Sequence, residues 1–280
     1  MISVRPSILV TGSSDGIGLE TAKQLARHGA DVIVHGRSAD RVRAAQKAVE
    51  AASGRPQPAP VIGDLSSLAG ATKLAAELAT AATFPRVLVN NAGVFCKTPA
   101  VSEDGIELTM AVNHFGHFAL TMALLADPRC QLRRIISVSS IAHNRGHIRL
   151  DDITLRKRRF DGYEMYAASK LANVLFAVEL AERLRGKVAV NALHPGVVST
   201  KLLQAGFGMD GPDSVSDGAA TSVMLALDPA YENISGQYFA ARRPAAMNPV
   251  AHDRAFCRAF FDATQQVVSD EKNKKGLPVS

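Results

Sequence analysis

The sequence predicts an α/β protein built on a parallel sheet with helices on both faces, and three observations lead there. Short apolar runs rich in Val, Ile and Leu alternate with longer helical patterns, the order of strand, crossover helix and next strand. A glycine turn, Gly12-Ser13-Ser14-Asp15-Gly16-Ile17-Gly18, joins the first apolar run to the first helix. Gly and Asn then recur where later strands end, at Gly63-Asp64-Leu65 and Asn90-Asn91-Ala92-Gly93, and open parallel sheets bind ligands at those ends.

In chain order, residues 8–10 form the first strand, and a helix begins at Ile17 with Ala22, Leu25 and Ala26 on one face. Residues 31–35 form the second strand and 41–52 the second helix, which stops before Gly54. Pro56, Pro58 and Pro60 mark the return loop to a short strand at 60–62, followed by an alanine- and leucine-rich helix at 68–82. Strands follow at 86–90, 134–139, 188–193 and 236–240. Between and after them come long helices at 103–125 and 162–184, a helix at 215–227 and an amphipathic closing helix at 251–268. The pattern describes a single domain over residues 1–269, and 270–280 reads as a loose tail of charge, glycine and proline.

At 280 residues, 47% hydrophobic and 21% charged, the chain can bury a full core as one large domain. Lys and Arg number 32 against 26 Asp and Glu, a net charge of +6 that suits an anionic cofactor or substrate as well as ordinary solubility. Nucleic acid is not favoured: the basic residues are dispersed, and the one compact run, 156–159, reads as a solvated loop. Cys96, Cys130 and Cys257 are odd in number and far apart, which excludes a disulfide framework or a thiolate metal cluster and suggests a reducing compartment. The first strand starts within a few residues, leaving no room for a secretory signal, and even the apolar run 119–126 is short for a membrane span. A cytoplasmic protein with no membrane span is expected. No metal is expected either; His114 and His117, three apart on a helix, read as packing or surface residues.

The glycine turn suits a pyrophosphate, because glycine lets the backbone approach closely and the free N–H groups at the start of a helix attract anions. Asp15 inside it is awkward for a phosphate unless its carboxylate points away. At the end of the second strand stands His35-Gly36-Arg37, where an acidic residue would bind an adenosine ribose; Arg37 instead favours a 2′-phosphate. Asp64 can accept from an adenine amino group or cap the helix that follows it. In the second half, Tyr166 and Lys170 lie four apart on one helix face, so an ammonium can lower a phenol pKa that is normally about 10. Ser139 and Ser140 end the fifth strand, where a hydroxyl can hold a developing oxyanion. Substrate is expected to meet residues 94–99, 141–165 and 197–212, the last a glycine-hinged stretch with Leu202, Leu203, Phe207 and Met209 that can close as a lid.

Thr11-Gly12-x-x-x-Gly16-x-Gly18, Asn90-Asn91-Ala92-Gly93, Asn113, Ser140, Tyr166-x-x-x-Lys170 and Pro195-Gly196 occur in this order, and with them the sequence resembles the short-chain dehydrogenase/reductase family. Val138-Ser139-Ser140-x-Ala142-His143, Ser169-Lys170-Leu171-Ala172-Asn173, Leu193-His194-Pro195-Gly196-Val197-Val198 and Ser235-Gly236-x-Tyr238-Phe239 bring it near the retinol dehydrogenase-like and WW-domain oxidoreductase-like group. The resemblance implies a single Rossmann-type doubly wound domain with a mostly or fully parallel seven-stranded sheet. It implies Tyr166 as catalytic acid/base, Lys170 binding the nicotinamide ribose and lowering the phenol pKa, Ser140 orienting the carbonyl, and Asn113 supporting a water-linked proton relay. The dinucleotide, NADP(H) in preference to NAD(H), is expected against Gly12, Ser14, Gly16, Ile17, Gly18, Arg37, Asp64, Leu65, Asn91, Ala92, Gly93, Tyr166, Lys170, Pro195, Gly196 and Val198.

The activity so implied is hydride transfer between nicotinamide and a hydrophobic ketone or aldehyde, or the corresponding alcohol. The helices at 103–125 and 162–184 would be the family's dimer-forming pair, in a homodimer or homotetramer. Two other readings compete: a nucleotide-sensing interaction protein with little turnover, and a reductase of activated carbon–carbon double bonds. The intact Ser140, Tyr166 and Lys170 favour the first reading.

Overall fold

The computed structural model describes residues 5–277. In chain order its elements are β1 (Ser7–Val10), α1 (Gly16–Arg27), β2 (Asp31–Gly36), α2 (Ala39–Ser53), β3 (Val61–Ile62), α3 (Leu68–Thr80), β4 (Val87–Asn90), α4 (Leu108–Met110), α5 (Gly116–Ala126), β5 (Arg134–Val138), α6 (Gly162–Arg183), β6 (Ala189–His194), α7 (Lys201–Phe207), α8 (Val215–Leu227), β7 (Tyr238–Ala240), β8 (Arg243–Pro244) and α9 (Arg254–Lys274). Successive strand side chains project to opposite faces, so near-continuous apolar strands feed two cores. Leu9, Ile33, Leu88, Ile135 and Val190 pack on one face with α3, α5, α6 and α9; Ile8, Val10, Val34, Val89 and Val138 pack on the other with α1, α2 and α8.

The strands lie in the order β3-β2-β1-β4-β5-β6-β7-β8 and are parallel from β3 through β7. The order reverses between β1 and β4, and Val10 lies opposite both Val34 and Val89, so three strand ends and their turns share one crevice. The sheet has eight strands where seven were expected. β8 runs antiparallel to β7 after a two-residue turn at Ala241 and Arg242, both at positive φ (47° and 62°). That turn conformation normally carries Asn or Gly, so Ala-Arg hides the hairpin from sequence reading.

Three further expectations change. The helix expected at 103–125 starts only at Leu108: Val101 bridges Glu107, and the Glu107 carboxylate caps the helix by accepting from the Met110 amide at 2.9 Å. A π-helical turn, Ala111–Phe115, then interrupts it before α5. α9 runs to Lys274, past the expected boundary at 269, because Lys272 buries its stem and Lys275 pairs with Asp104, whose other oxygen accepts from the Leu68 amide. Residues 278–280 of the expected tail lie outside the described residues. The basic run is exposed as expected except at Arg158, which is half-buried and donates to the buried Asp152 at 2.8 Å and to the His147 carbonyl at 3.0 Å.

The helical stretch Leu108–Ala126, 19 residues, is long and apolar enough to cross a membrane by length and composition, and it is 72% buried inside the fold. α6 is buried without a break from Met165 to Ala181. α9 covers it: Phe261 lies 5.0 Å from Phe118 and 6.1 Å from Phe176, ring centre to ring centre, and Phe260 lies 5.1 Å from His114. α9 therefore packs over part of the helix pair that the resemblance implies as a dimer face.

Candidate active site

The glycine turn is shaped by what lies beside it. Gly12 has φ +64°, and a Cβ there would stand 2.8 Å from the Cα of Ala92, so only glycine lets the turns after β1 and β4 touch. Thr11 joins them: its hydroxyl oxygen accepts from the Asn91 and Ala92 amides (2.8 and 3.0 Å), and Asn91 Nδ2 donates to the Thr11 carbonyl at 2.8 Å. His35 binds the turn to the third strand end. Its Nδ1 accepts from the Gly12 amide at 3.1 Å, which leaves Nε2–H to donate to the Gly63 carbonyl at 3.2 Å. Burial holds this imidazole down at about 4, so it is neutral at physiological pH.

Asp15 does not oppose an anion bare. Its carboxylate accepts from the Gly16 amide at 2.9 Å, pairs with Lys201 at 2.6 Å and lies 3.7 Å from Arg41, and the Lys201 hydrogen bond leads the effects that lower its pKa. Asp64 accepts from the Ser66 amide at 2.8 Å, and Ser67, not Asp64, caps α3.

At the other end of the crevice, Ser140 closes β5 and caps the short turn Ile141–Arg145, its hydroxyl oxygen accepting from the Ala142 amide at 3.2 Å. Ser139 is spent, donating to the Lys170 carbonyl at 2.7 Å. α6 presents Tyr166 and Lys170, with the ammonium 5.5 Å from the phenol ring centre and donating to the Val138 carbonyl at 3.1 Å. The expected lowering of the phenol pKa is reversed here. Burial pushes Tyr166 up to about 12, with Ser140's hydrogen bond opposing, and burial pushes Lys170 down to about 8.

One cavity of about 770 Å³ runs between these two ends. Every dinucleotide-contact candidate named from the sequence lines it, from Gly12 through Val198, as do Ser140, Tyr166 and Lys170. Asn113 does not. It is fully buried behind Val94, with Oδ1 accepting from the Val94 amide (2.8 Å) and Nδ2 donating to the Val94 carbonyl (3.1 Å) and to Ser169 (2.9 Å). His117 is likewise a core group, linking Thr11 (2.8 Å) to the Asn113 carbonyl (3.1 Å), and His114 packs among phenylalanines. The stretch expected as a lid contains a helix, α7, capped by Thr200 and ended by Gly208 at φ +65°. Its Leu202 and Leu203 face the cavity, as does Met209 just beyond it; the side chain of Phe207 lies outside the described residues.

Sequence reasoning assigned no role to Thr11, His35, His143 or Lys201. His35 and His143 had a signal, a histidine at a strand end beside Gly36 and one three residues after Ser140, but their partners are distant in sequence.

A glycine cradle with no room for side chains, an arginine at the rim and a Ser-Tyr-Lys group in the same cavity fit a nicotinamide dinucleotide and define a Rossmann-type oxidoreductase site. The short chain dehydrogenase family model matches residues 6–208. The chain is 36% identical to retinol dehydrogenase 13 of Mus musculus, covering 94% of this chain and 83% of that protein, and 36% identical to retinol dehydrogenase 14 of Homo sapiens, covering 94% and 86%. Among solved structures it is similar to an uncharacterized protein from Mycobacterium paratuberculosis (TM-score 0.78, 30% identity, 94% and 93% covered). It is also similar to a short chain dehydrogenase from Shigella flexneri 2a complexed with NADP (TM-score 0.69, 27% identity, 85% and 97% covered). The chain belongs to the short-chain dehydrogenase/reductase family and is retinol dehydrogenase-like.

Proposed function

We propose that this protein is an NADPH-preferring oxidoreductase that transfers a hydride between nicotinamide and a hydrophobic aldehyde or ketone, or the corresponding alcohol. One observation carries the reading: a single cavity holds the glycine turn and Arg37 at one end and Ser140, Tyr166 and Lys170 at the other. When bound, the reduced nicotinamide supplies the hydride. Arg37, exposed at the rim, offers a fork of donors to a 2′-phosphate, and the Asp64 carboxylate faces the same space.

Tyr166 donates its phenolic proton to the carbonyl oxygen while Ser140's hydroxyl hydrogen-bonds to the same atom. The phenol is protonated at neutral pH, the form that donates to a carbonyl oxygen. Lys170 holds the ribose and restores charge balance beside the phenolate. Asn113, its amide taken up by Val94 and Ser169, holds the turn after β4 against α6 from behind the cavity. Val94, Ile141, Leu202, Leu203 and Met209 offer an apolar wall, which suits long or polyene substrates, and the retinol dehydrogenases among its relatives make a retinoid aldehyde or alcohol a member of that class. Three free, dispersed thiols support a cytoplasmic setting.

The test is NADPH oxidation, then NADH oxidation, against a panel of aromatic, long-chain, steroidal and retinoid carbonyls. Tyr166→Phe is expected to lower kcat by about 100-fold or more while NADPH binding, read by fluorescence, persists. An unchanged rate in that variant overturns the role of Tyr166. Absence of turnover across the panel with NADPH bound would favour a sensing protein, and a saturated ketone as product would favour a double-bond reductase.

A further inference from the structure

Ser140 is held from below by groups that do not touch the substrate space. Its carbonyl oxygen accepts twice from His143, from the amide at 3.0 Å and from ring Nδ1 at 2.7 Å. The tautomer follows from the other ring nitrogen, Nε2, which accepts from the Asn248 amide at 3.2 Å and so carries no proton. Asn248 Nδ2 donates in turn to the carbonyls of His143 (3.1 Å) and Asn144 (3.3 Å), while its Oδ1 accepts from the Val250 amide at 3.1 Å. His143 is fully buried, and the Tyr238 ring packs on it with centres 4.5 Å apart.

Asn248 lies 105 residues from His143, in the segment between β8 and α9. With the peptide of Ser140 pinned on its carbonyl side and its hydroxyl oxygen accepting from the Ala142 amide, the hydroxyl proton is left to point at the cavity and at Tyr166. A loose peptide there would let the hydroxyl swing, and misplacing a catalytic group by an ångström costs about 100-fold.

We infer that His143 and Asn248 are positioning residues that latch the segment leading into α9 to the turn carrying Ser140, and so set the direction of its hydroxyl. This rests on the catalytic reading of Ser140 and Tyr166. The latch works through one donor, Nδ1–H, and one acceptor, Nε2, and two variants separate them. His143→Asn keeps a donor near the Nδ1 position; His143→Gln keeps a group near Nε2 and loses that donor.

The titratable groups facing Tyr166 are Tyr163 and Lys170 on α6 and Tyr238 on β7; those facing His143 are Tyr238 on β7 and His194 on β6. Ser140's hydrogen bond is the one that pulls the phenol pKa down, so a swung hydroxyl raises it. With NADPH and the best aldehyde of the panel, His143→Gln is expected to lower kcat about 10- to 100-fold, leave KM for NADPH unchanged and move the pKa governing kcat upward. His143→Asn, which keeps the donor to the Ser140 carbonyl but loses the acceptor for Asn248, is expected to fall between wild type and His143→Gln.

Should His143→Gln not fold, Asn248→Asp keeps the backbone donor to Nε2 and the Val250 cap, loses the amide donors, and is expected to slow kcat in the same way. Wild-type kcat in the folded variants overturns the latch. Ser140→Ala beside them separates the two claims: at wild-type rate it overturns the catalytic reading, whereas an inactive Ser140→Ala with a fully active His143→Gln overturns the latch alone.

Discussion

Arg37 takes part in no ion pair among the described residues, whereas nearby Arg41 faces Asp15, so in the NADPH reading proposed above Arg37 is the guanidinium that would meet a 2′-phosphate. Arg37→Ala is expected to raise KM for NADPH about tenfold or more, the worth of one charge-assisted contact, and to leave KM for NADH nearly unchanged. Steady-state kinetics with both cofactors checks it; equal losses would place the arginine outside the phosphate site. Arg37, the glycines and the Tyr166/Lys170 pair were readable because each acts through local backbone or a fixed helical spacing. His35 was not, since its two partners, Gly12 and Gly63, come together only when three strands align.

Among the elements, α7 carries the next prediction. It sits over the cavity through Leu202 and Leu203 and is tied to the glycine turn by Lys201 and Asp15 at 2.6 Å. This pair is exposed, so its contribution to stability is small, yet it bridges the two lips of the groove. Lys201→Ala is expected to speed NADPH release several-fold in stopped-flow, with little change in melting temperature. Saturating NADPH and substrate are expected to protect 197–212 from protease; an unchanged cleavage rate would mean the segment is fixed packing. The sequence pointed to an apolar, glycine-punctuated stretch, but its helical form depends on Thr200 and Gly208 acting at its two ends.

For the molecule as a whole, three buried imidazoles and the half-buried His194 shape the response to acid. Burial lowers His35 and His194 to about 4 and His114 and His117 to about 3, against about 6.5 in the unfolded chain. Folded pKa values below unfolded ones mean that the unfolded state binds more protons as pH falls. The stabilisation is complete above about 6.5 and is lost progressively toward pH 4 and below. Urea midpoints are expected to drop steeply between pH 7 and pH 5, and His35→Gln is expected to flatten that slope. The other whole-molecule prediction concerns α9. Because it covers α5 and α6, the protein is expected to sediment as a single chain, and a dimer cross-linked through α6 would overturn this. Phe260→Ala, at a fully buried position, is expected to cost about 3–5 kcal/mol in denaturant titration.

The sequence by itself determined the order of the first seven strands, the nucleotide-type turn and the candidate dinucleotide contacts that line the cavity, because strand alternation, helix periodicity and glycine geometry are local properties. Only the tertiary structure decided the eighth strand, the continuation of α9, the reversal of the Tyr166 shift and the grip of Asn248 on the serine turn. Each of those depends on burial or on groups distant in the chain meeting in space, and neither burial nor such meetings leave a period in the sequence.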